Sequence, residues 1–159
     1  MALEKNLNSR LKIRGYNYIE SADYRLYNNS NIANGYTGAI RAVARYSTNT
    51  TLLSHTETGG TGGGSRWTFT ANCYCLLTVS QDVKGNTDTG YWWMGPKING
   101  SFIGRHLVRK SSEWDQFTFQ QSFQVTANQY LEIAWGSTSG LTAADGTDWS
   151  HYCFTMWQQ

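Results

Sequence analysis

Charge is scarce in this chain: only 15% of its 159 residues are Asp, Glu, Lys or Arg. There is one proline, Pro96, so almost every backbone N–H is free to join a sheet ladder. No apolar run approaches the ~18 residues of a membrane span, and no membrane partner is expected. Met1-Ala2-Leu3-Glu4-Lys5-Asn6 lacks the apolar stretch of roughly 7–15 residues that export requires. Cys73, Cys75 and Cys153 are odd in number and unlike a disulfide framework in spacing, which points to synthesis and assembly in a reducing cytosol.

What is abundant is Tyr, Trp, Thr, Asn and Gly. Aromatics reach 14%, with 7 Trp and 10 Tyr, and there are 16 Gly. Branched and aromatic side chains fit a pleated surface, so the composition is that of an all-β protein. The period-2 signal is direct. Trp67, Phe69, Ala71, Cys73, Cys75, Leu77 and Val79 share odd numbers, with Thr68, Thr70, Thr78 and Ser80 between them. Phe117, Phe119, Phe123 and Val125 make a second strip, Leu131, Ile133 and Trp135 a third, and Tyr152, Phe154 and Met156 a fourth. Turn clusters separate them, as in a sandwich or barrel. Phe119, Phe123, Leu131, Ile133 and Phe154 are expected deep in the core.

Residues 1–35 show no such period and read as an extended N-terminal arm, with the globular domain over 36–159. Residues 1–45 hold seven cations against three anions, net +4, while the remaining residues carry −2. A basic leader on a faintly acidic body suits docking on an acidic surface through Arg10, Lys12, Arg14, Tyr16, Tyr18 and Arg25, although such cations also occur as solvated strand ends and loops. Interleaved Tyr and Arg would also stack on nucleic acid; with a net charge of only +2, no nucleic-acid partner is expected.

The strand order carries a resemblance. Phe69-Thr70-Ala71-Asn72-Cys73-Tyr74-Cys75-Leu76 resembles the Pro-Gly-x-Tyr-x-Phe strand entry of the C1q/tumour-necrosis-factor-like jelly roll, with Tyr74 on the family tyrosine and Asn72 on its glycine. Lys97-Ile98-Asn99-Gly100 is similar to its mid-domain strand and turn. Val125 to Ile133 is similar to its late hairpin, with Asn128 for a glycine and Gln129 for an aspartate, and Ser150 to Phe154 to its closing strand. Asparagine tolerates positive φ better than any other non-glycine residue, so those turns can survive. The resemblance covers roughly 36–159. It implies a jelly-roll β-sandwich that assembles as a homotrimer, and short versions without export signals look like bacteriophage virion proteins.

Catalytic constellations are wanting. His55, His106 and His151 are scattered, and no pair of histidines stands two residues apart beside a carboxylate. Three cysteines without a fourth ligand read as small buried hydrophobes rather than a zinc site. The Gly59–Gly64 loop lacks the Gly-Lys-Ser/Thr of a phosphate loop. Asp145 and Asp148 share a loop that leaves Ca²⁺ binding open, with a plain turn as the simpler reading. Adjacent strand residues Trp92 and Trp93 must face opposite ways, so one of them, with Tyr91, Trp114 and Trp149, is available for a subunit interface or for stacking on a sugar. The expectation is a non-enzymatic protein without cofactors: a trimeric capsid decoration, cement or knob protein of a virion, assembled in the host cytoplasm and held by its arm to a capsid or other virion protein. A receptor-binding fibre tip recognising host glycan is the alternative.

Overall fold

A computed structural model describes residues 12–13, 16–26, 30–32, 37–44, 51–57, 64–85, 90–109, 112–137, 141–143 and 150–158. Among them there is no helix, and hence none long and apolar enough to cross a membrane. The strands are β1 (Lys12–Ile13), β2 (Tyr16–Leu26), β3 (Ser30–Ile32), β4 (Thr37–Ala39), β5 (Ala42–Ala44), β6 (Leu53–Glu57), β7 (Ser65–Phe69) and β8 (Cys73–Gly85). They continue with β9 (Tyr91–Ile98), β10 (Ser101–Phe102), β11 (His106–Arg109), β12 (Trp114–Val125), β13 (Tyr130–Ser137), β14 (Leu141–Ala143) and β15 (Ser150–Gln158).

They form two antiparallel sheets. In the first, β15 lies between β2 and β8, while β12 takes the other edge of β8 from Cys73 to Lys84. In the second, β13 lies between β9 and β7, with β6 beyond β7 and β10 and β11 along β9. Pairing β2 with β15 joins the first long strand to the last, the closure of a jelly roll.

The sequence periods become the inner faces. Trp67, Phe69, Leu77, Val79, Leu131, Ile133, Tyr152 and Phe154 are fully buried. At roughly 1.5–3 kcal/mol for each fully buried large apolar side chain, these strips supply the main drive to fold. Phe117, Phe119 and Phe123 are also buried but keep slightly more exposure; among the described residues β12 has a neighbour, β8, on one side only. Within the core, the Tyr152 hydroxyl donates to Gln81 Oε1 at 2.5 Å. Burial pushes the Tyr152 phenol far above its usual range, so it remains a donor.

The expected arm needs correction. Residues 16–26 are a strand of the first sheet, and Ala22, Tyr24 and Leu26 belong to the core. Residues 30–32 pair with β14, so residue 35 does not separate an arm from a domain. The inward set of β2 begins with a small alanine and alternates with Asp23 and Arg25, which leaves a faint local period. Pairing with β15, more than a hundred residues away, makes it a strand.

The chain crosses between sheets at residues 39–42: β4 pairs with β13, β5 with β2. Ile40 fills that corner, fully buried, its N–H bonded to Ile133 O at 2.8 Å. Ser65 clamps it, with its N–H on Ile40 O (2.7 Å) and its hydroxyl accepting from Ala42 N (2.8 Å) and donating to Ala42 O (3.0 Å).

Two turns follow the asparagine argument. Asn99 and Gly100 lie at φ 49° and 81°, the paired positive values of a two-residue hairpin between β9 and β10. Asn128 lies at φ 68°. Asn72 is not among the residues with positive φ; its Oδ1 accepts from Ala127 N at 2.9 Å instead. Gln129 Oε1 accepts from Thr126 N at 2.9 Å, so an amide closes the turn where the resemblance has a carboxylate.

Candidate interaction surfaces

The side chains not used in the core form two outward faces of different chemistry. On the first sheet, residues of even number on β8 and odd number on β15 point away from the core. Cross-strand register places Tyr74 beside Trp157, Leu76 beside Thr155 and Thr78 beside Cys153. It extends across β12 to Gln124, Ser122 and Gln120. The Tyr74 and Trp157 rings lie 6.0 Å apart. None of these nine residues is an aspartate, glutamate, lysine or arginine. Charge returns toward β2, where Asp23 Oδ2 lies 3.5 Å from His151 Nδ1, and at the far end of β8, where Asp82 and Lys84 follow the same outward parity.

On the second sheet, Trp92 and Met94 point inward, and Tyr91, Trp93 and Lys97 outward. Trp92 is core, tilted against Phe117 at 4.5 Å. Trp93 meets Phe102 edge-on at 5.5 Å. The two tryptophans do face opposite ways. Between β10 and β11 the chain bulges, with Gly104 and Arg105 lying over Gly95; a Cβ on Gly95 would collide with the Gly104 carbonyl. The bulge flips the parity, so that Phe102 faces outward and His106 inward. The His106 ring stacks on Phe119 at 4.0 Å.

Of the other expected contact residues, Tyr91 (49% exposed) and Trp114 (46%) are open to solvent. Lys12 lies on β1, Tyr16 and Tyr18 on β2. Arg25 is half-buried on β2, its Nη1 donating to Leu26 O at 3.4 Å. Arg10, Arg14, Trp149 and the Asp145–Asp148 loop lie outside the described residues. The expected groups therefore do not converge: Trp92 is interior, and Trp93 joins residues that sequence reasoning passed over. Phe102, Arg105 and Leu107 were missed because a bulge decides which way they point. The Asn99-Gly100 turn was the available hint, since a tight hairpin returns the chain alongside Lys97.

Groups with chemical potential are committed to structure. His55 stacks on Trp67 at 5.4 Å and lies 4.8 Å from the Tyr24 ring. Its Nε2 is 2.9 Å from Ser65 Oγ. Because the single Ser65 hydroxyl proton goes to Ala42 O, His55 is the donor, which assigns the Nε2–H tautomer. Desolvation holds its pKa below the ordinary histidine value against the pull of Glu57. Ser65 is buried and shaped as a clamp rather than a nucleophile. Cys73 and Cys75 face the core, and burial raises both thiols, Cys73 to about 11. Cys153 points to the opposite side of the sheet, so the three sulfurs cannot share a metal. Among the described residues no group of three or more His, Cys, Asp or Glu could hold an ion.

No protein-family model matches this chain, and no curated protein matches it in sequence. Solved structures do match in shape. Murine APRIL at pH 8.5 superposes with a TM-score of 0.61 at 9% identity, over 86% of this chain and 97% of that one. The Eiger TNF of S. frugiperda superposes at 0.59 with 10% identity, over 87% and 91%. At such identities the likeness establishes the fold: this is a tumour-necrosis-factor-like jelly roll.

Proposed function

We propose that the chain is a non-enzymatic, self-associating structural domain: a homotrimer that decorates, cements or caps a virion. The neutral outward face of the first sheet carries this reading. Interface cores are depleted of charge and enriched in aromatics, and Tyr74, Leu76, Thr78 and Cys153, half-buried beside the buried Trp157, fit that description. The jelly-roll resemblance implies three copies. The virion setting rests on the resemblance to short phage proteins; the new strand β2 narrows the part of the N-terminal region left for anchoring to residues before about Lys12.

Light scattering of the isolated chain at micromolar concentration tests self-association, with a trimer mass expected. Leu76→Arg puts an unpaired charge in the centre of the neutral face and is expected to yield a folded monomer. A monomer in the unaltered protein overturns the trimer. Retained trimer in Leu76→Arg moves the interface elsewhere. Locating the protein on purified particles, and counting copies, separates a decoration from a fibre tip: many copies for the first, few for the second.

A further inference from the structure

The outward face of the second sheet carries a strip that neither the core nor the neutral face uses. Leu107 stands opposite Trp93 and Phe102 opposite Lys97 in antiparallel register, so all four project to one side. The Arg105 guanidinium lies 4.0 Å from the centre of the Phe102 ring and 5.1 Å from that of Trp93. Lys97 Nζ lies 4.7 Å from the same Phe102 ring. Two cations thus share one aromatic ring. The ring attracts them through its quadrupole but supplies no counter-charge.

Among the described residues no carboxylate supplies it either. Glu132 is the cross-strand neighbour of Lys97, but its Oε1 takes Arg66 Nη2 at 2.8 Å and Nε at 3.2 Å. Neither Lys97 nor Arg105 forms an ion pair among the described residues. Residues 46–159 contain six cations and eight carboxylates, yet Lys97 and Arg105 share the Phe102 ring while Glu132 is taken by Arg66. This is a positive area on a faintly negative body. Its flanks are apolar: Leu107 is 63% exposed and Tyr91 49%, two of the three large hydrophobics exposed among the described residues.

We propose that the strip from Tyr91 through Trp93 and Phe102, with Lys97 and Arg105, is the docking surface for a protein partner that presents carboxylates beside aliphatic side chains. This deepens the structural-domain reading, on which it rests, by naming the face that meets the assembled surface. Carboxylates complete the two unneutralised cations, and aliphatic groups cover Leu107 and Tyr91. Trp, Tyr and Arg are the residues that dominate binding energy at protein interfaces. A sugar fits less well, because two cations already lie against the Phe102 ring on which it would stack.

Calorimetric titration of the full chain with a short peptide of alternating glutamate and leucine tests this, with lysine–leucine peptide and polygalacturonate as comparison probes. Binding of the glutamate peptide is expected to weaken by about tenfold or more in Arg105→Glu and in Lys97→Glu, and as salt is raised. Arg105→Gln is expected to weaken it less, and Lys84→Glu, on the first sheet, to leave it unchanged. Equal binding by the parent and Arg105→Glu overturns the proposal. So does tighter, Arg105-dependent binding of polygalacturonate, which assigns the face to an acidic polysaccharide. A fall in native mass in Arg105→Glu also overturns it, by making a second copy the occupant. The trimer measurement is independent, so failure of self-association and failure of this docking face are told apart.

Discussion

The two outward faces of the sandwich lie over one core and are built from the same alternation, yet they differ in kind. The face on β2, β15, β8 and β12 carries a neutral field around Tyr74, Leu76, Thr78 and Cys153. The face on β9, β10, β11, β13 and β7 carries ion pairs and cations on aromatics, with Arg66 also 3.9 Å from the Tyr130 ring centre. A neutral face loses little when water leaves it. A charged one keeps its water until a partner offers counter-charges. The proposed self-association uses the first face and the proposed docking the second.

The largest stability effect does not distinguish the faces, because it removes their common support. Phe154→Ala, at the centre of β15 beneath the neutral face and 5.2 Å from Trp67 of the other sheet, is expected to cost about 3–5 kcal/mol in urea unfolding. A loss below ~1 kcal/mol would mean that the sheets do not pack through this residue. Gln81→Ala comes next. It strips the Tyr152 hydroxyl of its buried acceptor, and a cost of about 1–3 kcal/mol is expected. Tyr152→Phe in the same background should recover part of it, since no orphaned hydroxyl remains.

Acidification should weaken the corner rather than either face. The folded pKa of His55 lies below its unfolded value, so the unfolded chain takes up the proton more readily. The stabilising contribution is complete above about pH 6.5, falls as pH drops below that value and levels off beneath the folded pKa. Thermal melts between neutral and mildly acidic pH should show this slope, reduced in His55→Gln. Glu20 acts further down. Desolvation raises its pKa, but hydrogen bonds from Leu52 and Thr51 outweigh it and hold the carboxyl below its usual range. Its stabilisation is present above the ordinary carboxylate pKa and is lost as pH falls through the depressed value. The smallest effect belongs to the charged face: Arg66→Ala breaks a solvent-reached pair with Glu132 and should cost about 0.2–1 kcal/mol, less in high salt. An equal effect from Thr155→Ala on the isolated monomer would erase the difference drawn between the faces.

Much of the core was legible in the sequence. Strips such as Phe69 to Val79 and Leu131 to Trp135 repeat every two residues, and a buried face leaves that trace in any half-buried strand. The opposition of Trp92 and Trp93 was legible for the same local reason, since neighbours on a strand must alternate; the positive φ at Asn128 followed from the resemblance, which has a glycine there. What only the tertiary structure decided depends on distant partners. β2 has a weak period and becomes a strand through pairing with β15, the other end of the described chain. Asn72 kept an ordinary backbone because Ala127 was near enough to use its side chain. The Trp93–Phe102–Arg105 strip exists because one bulge opposite Gly95 reverses the alternation of β10 and β11. A side-chain period of two carries no warning of a single extra residue, and the sheet register that accommodates it is set by the whole of β9.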